Sequence, residues 1–304
     1  MATFTLAEAK KLGLDDLQSG IVDTILTEAP GLEFFPFTEV AGNSFKYLRE
    51  LTGIDGQIVA ADGTITDSSA LTSTEVFVGL TAVSGQSDIP NQQIRAQIGA
   101  NGGNDLKAVH IAKAAKGVTR AILNMVINGT VGANGWDGLK ALLTSSAFSA
   151  QVVDAANAAF DLSMIDDASS RVLVGGTKII MGNGKAEMKF KQAMRAAGGV
   201  TTVELNGHYF DGYDGMAFVR NDWIAADNVG GTAGNQTDIY VLTMGDGVID
   251  GGGVQALTSV GDLFHRTEFP SLEMKDATRE RVIVDFALTV GTPLAVALIK
   301  NVTV

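Results

Sequence analysis

Gly182-Asn183-Gly184-Lys185 is the stretch of this 304-residue sequence that most invites a chemical reading. Glycines and a lysine between an apolar run and a helical pattern could cradle a phosphate with backbone amides. A Walker-type loop would need Gly where Ile179 stands and Ser or Thr where Ala186 stands. A dinucleotide fingerprint would need its third glycine at Glu187. The segment is therefore read as a strand-to-helix turn. His110, His208 and His265 are scattered, and His265-Arg266-Thr267-Glu268 offers no second histidine on a helical face, so no zinc site is expected. There is no cysteine, and no Gly-x-Ser-x-Gly elbow. Asp-Gly occurs seven times, and carboxylates in such turns, Asp211 and Asp214 among them, serve the backbone. The reading is of a chain that is not an enzyme, with no catalytic residue, metal or cofactor.

Composition narrows the classes further. Apolar residues make up 46 % and charged residues 18 %, with a mean hydropathy of +0.20, which excludes intrinsic disorder. No apolar run reaches the ~18 residues of a membrane span, and Met1 to Leu12 lacks the pattern of a signal peptide. Twenty-two basic residues against 34 acidic ones give a net charge of −12, the wrong sign for a nucleic-acid reader. So few charges on a large apolar chain suggest a surface covered by something, and self-association is the simplest cover.

The elements follow from periodicity and turn chemistry. Residues 1–36 read as helical, with a capping box at Thr5-Leu6-Ala7-Glu8, an apolar face of Leu14, Leu17, Ile21 and Ile25, and aromatic anchors at Phe34, Phe35 and Phe37. Over 37–90 two long arms of a hairpin are expected, since Phe45, Tyr47 and Arg49 alternate with Lys46, Leu48 and Glu50, and Thr74 to Val83 reads as another strand. A two-stranded ribbon is marginal alone in water, so its apolar residues require a second surface. Residues 104–128 form the strongest helix, capped at Asn104, with an apolar stripe of Ile111, Ala115, Val118, Ile122 and Met125 opposite a basic stripe of Lys113, Lys116 and Arg120. Arg171 to Met181 reads as a strand, Lys185 to Ala197 as a helix, and Ile239 to Met244 as a strand. Arg281 to Val290 and Leu294 to Val304 read as a closing hairpin.

The order of these parts resembles the major capsid protein of tailed bacteriophages, the HK-ninety-seven-type shell fold, over essentially the whole chain. The telling segment is the helix running into Ile127-Asn128-Gly129-Thr130 and then Asn134-Gly135-Trp136-Asp137-Gly138-Leu139. The resemblance implies an α+β fold with an N-arm (1–36), an extended loop (37–90), a peripheral domain with a spine helix (91–145 and 262–304) and an axial domain (146–261). It implies self-assembly into hexamers and pentamers of an icosahedral shell around double-stranded DNA, touched weakly and without sequence specificity. Portal, separate scaffolding and cement proteins are the implied partners, the virion the location, and the host cytoplasm the place of assembly. Unlike the type member, this sequence enters the N-arm directly from Met1, with no scaffolding extension ahead of it. No cross-linking chemistry is carried over to Lys46 or to the asparagines. An encapsulin-type compartment is the rival with the same fold; a secreted β-rich binding module and an enzyme with an unrecognised site are the rivals of other classes.

Charge adds one expectation about contacts. Residues 91–145 carry six basic and two acidic groups, a net +4, whereas 37–90 carry two and seven, a net −5. In the resembled fold the extended loop lies over a neighbour's peripheral domain. Glu39, Glu50, Asp62 or Asp67 of one subunit are therefore expected to face Lys107, Lys113, Lys116 or Arg120 of another, the alternative being a solvated or lumen-facing basic stripe.

Overall fold

Val282, Val284, Phe286 and Leu288 alternate with outward residues along one strand, and that strand organises the first of two sheets. The computed structural model describes residues 32, 34–52, 58–59, 61, 63, 72–92, 94, 106–133, 135–199, 201–205, 208–226, 236–245, 252–261 and 264–304. The helices expected in 1–30 and the Asn104 cap lie outside these residues. Strand β1 is Phe37–Val40, β2 Ser44–Thr52, β3 Thr72–Gly79 and β4 Thr81–Pro90. Late in the chain come β11 (Val254–Ser259), β12 (His265–Phe269) and β13 (Ala277–Val290). β13 pairs with β4 from Ala277 to Phe286, with β12 from Arg279 to Ile283 and with β11 from Ala287 to Val290. β1 adds in parallel to β11.

Helix α1 (Leu106–Asn128) lies across β4 and β13. Most of its stripe meets them as its spacing predicts: Ile111, Ala115, Val118 and Ile122 are buried, while Met125 is half-buried and Val126 and Ile127 are buried at the helix end. The approach is close because β4 carries a glycine there. A Cβ on Gly85 would lie 2.4 Å from the Ala114 carbonyl oxygen. The helix then ends where two further glycines let backbone pack on backbone. A Cβ on Gly129 would fall 2.4 Å from the Met125 carbonyl oxygen, and one on Gly138 would fall 2.6 Å from that same atom. The Gly138 amide donates to the Gly129 carbonyl at 2.9 Å, closing the turn before helix α2 (Leu139–Thr144). Trp136, inside that turn, packs at 5.0 Å on Phe286 of β13.

The second sheet has seven strands in the order β5-β14-β10-β6-β9-β8-β7. They are β5 (Val152–Asp154), β6 (Lys178–Gly182), β7 (Thr201–Leu205), β8 (His208–Tyr213), β9 (Met216–Arg220), β10 (Gln236–Thr243) and β14 (Val296–Thr303). β10 is buried along its full length, as a central strand covered on both faces must be. Helix α3 (Leu162–Arg171) and helix α4 (Gly184–Ala196) cover one face through Ile165, Ala168, Phe190 and Met194. β6 and β9 run parallel with α4 between them in the chain.

Three expectations are corrected. The Arg171-to-Met181 strand shrinks to β6, because Asp161 accepts from the Leu162 amide and starts a helix that runs to Arg171, and Gly176 at φ 135° then turns the chain. The closing hairpin does not form: β13 and β14 belong to different sheets. Pro293 opens a 3-10 turn over Pro293–Ala295 that carries the chain from one sheet to the other. Within 37–90 only β2 and β3 make the two-stranded ribbon, while β1 and β4 join the sheet of β13. Both have more apolar partners there than a ribbon offers.

Two glycines, Gly85 in the helix–strand contact and Gly117 on the exposed face of α1, separate cleanly. Gly85→Ala is expected to lose about 1–3 kcal/mol of stability, since its methyl would push against helix backbone. Gly117→Ala, where a Cβ meets nothing within 4 Å, should gain about 0.5–1 kcal/mol through helix propensity. Urea unfolding of the two variants measures both.

Candidate assembly surfaces

The residues that invited a chemical reading are occupied by structure. Asn183 caps α4, accepting from the Ala186 amide at 2.8 Å, while its amide group donates to Thr237 Oγ1 and the Ile224 carbonyl. The Arg220 guanidinium lies over Gly184, 3.1 Å from where a Cβ would sit. The helix start is thus closed by its own side chains. Asp214 and Gly215 both take positive φ in the turn joining β8 to β9. Asp211 differs from the expected turn role: it sits in β8 and pairs with Lys191 at 2.9 Å. His110 shares a 2.6 Å hydrogen bond with Ser87 across the α1–β4 contact. Among the described residues no cluster of histidine and carboxylate groups could hold a metal ion.

The expected contact residues fall on several elements. Lys113 and Arg120 are exposed and Lys116 half-buried on the outer face of α1. Lys107, at the first turn of that helix, reaches Glu268 of its own chain at 2.7 Å, and this hydrogen bond is what raises its ammonium pKa. Glu39 is half-buried in β1, opposite Thr258. Glu50 lies in β2 opposite Ser73. Asp62 and Asp67 lie outside the described residues.

Lys107 belongs to a charge cluster that was not anticipated. Glu268 and Glu280 face each other directly across β12 and β13, an unfavourable pairing of like charges. Arg266 bridges them, forking onto Glu280 at 3.1 and 3.2 Å and reaching Glu268 at 3.4 Å. The Glu280 carboxylate is fully buried, so this fork replaces its water. A readable signal existed: Glu280 shares the strand parity of Val282 and Val284, so alternation points it into the core, where a cation must follow.

The ribbon has two unlike faces. Outward are Lys46, Leu48, Glu75 and Phe77, with Leu48 62 % and Phe77 66 % exposed. Inward, Phe45 stacks on Tyr47, and Tyr47 and Arg49 are buried against the core. The Tyr47 hydroxyl donates to the Val290 carbonyl at 2.9 Å. Arg49 donates to the same carbonyl at 3.2 Å and to the Tyr47 hydroxyl at 2.7 Å, and it lies over the Phe148 ring. Here the ribbon base is buried within its own chain, so only part of its apolar surface is left exposed.

At the sequence level no family model and no curated protein matches the chain. Solved structures do match. The holo-SrpI encapsulin complex of Synechococcus elongatus PCC 7942 aligns at TM-score 0.64 and 18 % identity, covering 88 % of this chain and 85 % of that one. The capsid of a native GTA particle aligns at TM-score 0.59 and 13 % identity, over 96 % and 92 % of the two chains. The structure of Mycobacterium phage Bobi aligns at 0.58 and 14 %, over 91 % and 89 %. Likeness over so much of both chains establishes the class: this is an α+β chain with the HK-ninety-seven-type fold.

One ion pair on this surface makes a pH prediction. Arg279 donates to both Asp88 oxygens, at 2.6 and 3.0 Å, and with Lys275 nearby holds that carboxyl below the usual carboxylate range. A depressed folded value means the pair stabilises the β4–β13 ladder above the ordinary carboxylate pKa. That contribution disappears as pH falls through the folded value. Asp88→Asn should unfold at lower urea than wild type near neutrality, and the two curves should converge in strong acid.

Proposed function

We propose that this chain is the major capsid protein of a tailed double-stranded DNA bacteriophage, building the icosahedral shell of the virion from hexamers and pentamers of itself. The observation that supports this reading is the near end-to-end match to the capsid of a GTA particle and to chains from mycobacterium phage structures. The role is geometric, not enzymatic. The N-arm is taken as 1–36, the extended loop as 37–90, the peripheral domain as 91–145 and 262–304, and the axial domain as 146–261. Portal, scaffolding and cement proteins, and assembly in the host cytoplasm, belong to the same reading. The net charge of −12 supports a container that does not grip its DNA, since phosphate contacts need cations. No sequence-specific DNA binding is expected at physiological salt.

One observation favours a second reading, an encapsulin-type compartment around a protein cargo: the encapsulin complex aligns at 0.64, above the 0.59 of the GTA capsid. Negative-stain microscopy of the expressed protein tests the shell in either form. Uniform shells or capsomers are expected, and a clean monomer at micromolar concentration would sink both. Nuclease-protected DNA in particles from the native source selects the phage reading, and an enclosed protein selects the other.

The contacts between copies are proposed to pair acids of the extended loop, Glu39, Glu50, Asp62 or Asp67, with the outer face of α1. Lys113, Lys116 and Arg120 supply that face, and Lys107 contributes to its field while held by Glu268. Exposed pairs are worth only ~0–1 kcal/mol each and act mainly on encounter rate and register. Repetition around a shell nevertheless makes the rate salt-sensitive, because the screening length falls to about 3 Å at 1 M salt. Reversing Lys113, Lys116 and Arg120 to Glu should slow light-scattering growth at low salt, and reversing the loop acids should restore it. Normal assembly with poor DNA packaging would instead place the stripe on the lumen.

A further inference from the structure

Strand β12 (His265–Phe269) ends the first sheet, and among the described residues it pairs with β13 alone. Its far edge therefore presents main-chain amides and carbonyls with no strand beside them, a template for pairing with another chain. Short length and charge normally blunt such an edge. Here the charges are of opposite sign and flank the middle residue of the strand. His265, Arg266, Thr267 and Glu268 are all exposed. Arg266 and Glu268 stand one residue to either side of Thr267 and project on one face, the face that carries α1. Pro270, next in the chain, has no amide hydrogen and ends the stretch that could pair.

We propose that β12 pairs antiparallel with β12 of a second copy across a two-fold axis through Thr267, joining two sheets edge to edge. The register follows from charge. With the axis at Thr267, Arg266 stands directly opposite the second copy's Glu268, and Glu268 opposite the second copy's Arg266. Moving the axis one residue either way sets Arg266 against Arg266 or Glu268 against Glu268, and like charges directly opposite are destabilising. Glu268 has room for the incoming guanidinium. Its side chain is 35 % exposed, and a carboxylate has lone pairs beyond those given to Lys107 and to Arg266 of its own chain. On the other face the same register sets Phe269 opposite the second copy's His265. The axis stands perpendicular to the joined sheet, so α1 of both copies lies on one side and neither blocks the edge. The inference rests on the shell reading. Contacts between unlike patches, such as loop acids on α1, close rings, and a separate contact must join one ring to the next. A self-complementary two-fold contact is the commonest kind between identical subunits, and β12 carries the pattern for one.

The chain contains no cysteine, so single-cysteine variants test the register directly. Thr267→Cys sets two thiols at directly opposite positions, where Cα atoms about 4.5–5.5 Å apart suit a disulfide. His265→Cys is the control. Across the same axis its two thiols lie four residues apart along the strands, about 13 Å, beyond the reach of a disulfide. Each full-length variant is assembled, oxidised with diamide and run on a non-reducing denaturing gel, and urea unfolding of the subunit checks its fold. Most chains of the Thr267→Cys particles are expected as covalent dimers, against a trace for His265→Cys. Thr267→Cys particles that stay monomeric on oxidation overturn the inference, as does equal cross-linking of His265→Cys. Should Thr267→Cys fail to fold, an electron cryo-microscopy map of the wild-type particle decides. β12 beside its symmetry mate supports the pairing, and β12 edges standing apart overturn it. Failure of the shell reading looks different, because wild type then forms no particles. The Thr267→Cys cross-link in concentrated soluble protein then decides the pairing by itself, and its absence overturns the inference.

Discussion

The contact of Ala114 on Gly85 sets the distance at which α1 rides over β4 and β13, and much else depends on that distance. With any side chain at position 85 the helix would have to rise, because its Ala114 backbone oxygen lies only 2.4 Å from where the Cβ would be. Held low, the stripe from Ile111 to Ile122 reaches the sheet, and the helix end arrives where Gly129 and Gly138 can interlock. That turn delivers Trp136 onto Phe286, and the Trp136 wall meets the ribbon base at the end of β13. One absent methyl group thus links helix, sheet and ribbon into a single frame.

The ribbon shows how the same alternation serves two purposes. Phe45, Tyr47 and Arg49 share one face and are spent on the subunit itself. Lys46, Leu48, Glu75 and Phe77 share the other and are left for whatever lies outside. The inner face is fastened at one point: Tyr47 and Arg49 both donate to the carbonyl of Val290, the last residue of β13. That carbonyl is separated from them by more than 240 residues of chain, so the ribbon is tethered to the far end of the fold.

Periodicity made the repeating parts legible. The helix over Leu106–Asn128, its buried stripe, the helix after Asn183 and the inward face of β13 could all be read from spacing, because each is decided by which side meets the core. Pairing between strands was not legible. β13 and β14 look like a hairpin across Gly291-Thr292-Pro293, but both are buried so completely that each takes central partners in a separate sheet. The helix Leu162–Arg171 was hidden because its Ser and Asp residues speak for turns, and only the burial of Ile165 and Ala168 against a distant sheet outweighs them. Of the candidate site, the basic face of α1 was readable as a stripe. The engagement of Lys107 with Glu268 was not, since nothing local places β12 beside the start of α1.

Closure of a shell asks more of geometry than of affinity. A contact between unlike patches of identical copies builds rings or open filaments depending only on the angle it imposes. In the proposed shell the outer face of α1 and the outer face of the ribbon would be such unlike patches, with the angle between them set through the Gly85 contact and the Val290 tether. Neither of these lies at an outer surface, and both consist of short backbone-directed contacts with little freedom to flex. On that proposal weak, salt-screened pairs at the surface would suffice, because the direction in which they act would already be set inside the subunit. Strong outer contacts would be a disadvantage, since a misplaced copy could not dissociate and be replaced. In the proposed shell, a chain with few charges and modest outer faces would suit reversible, self-correcting closure.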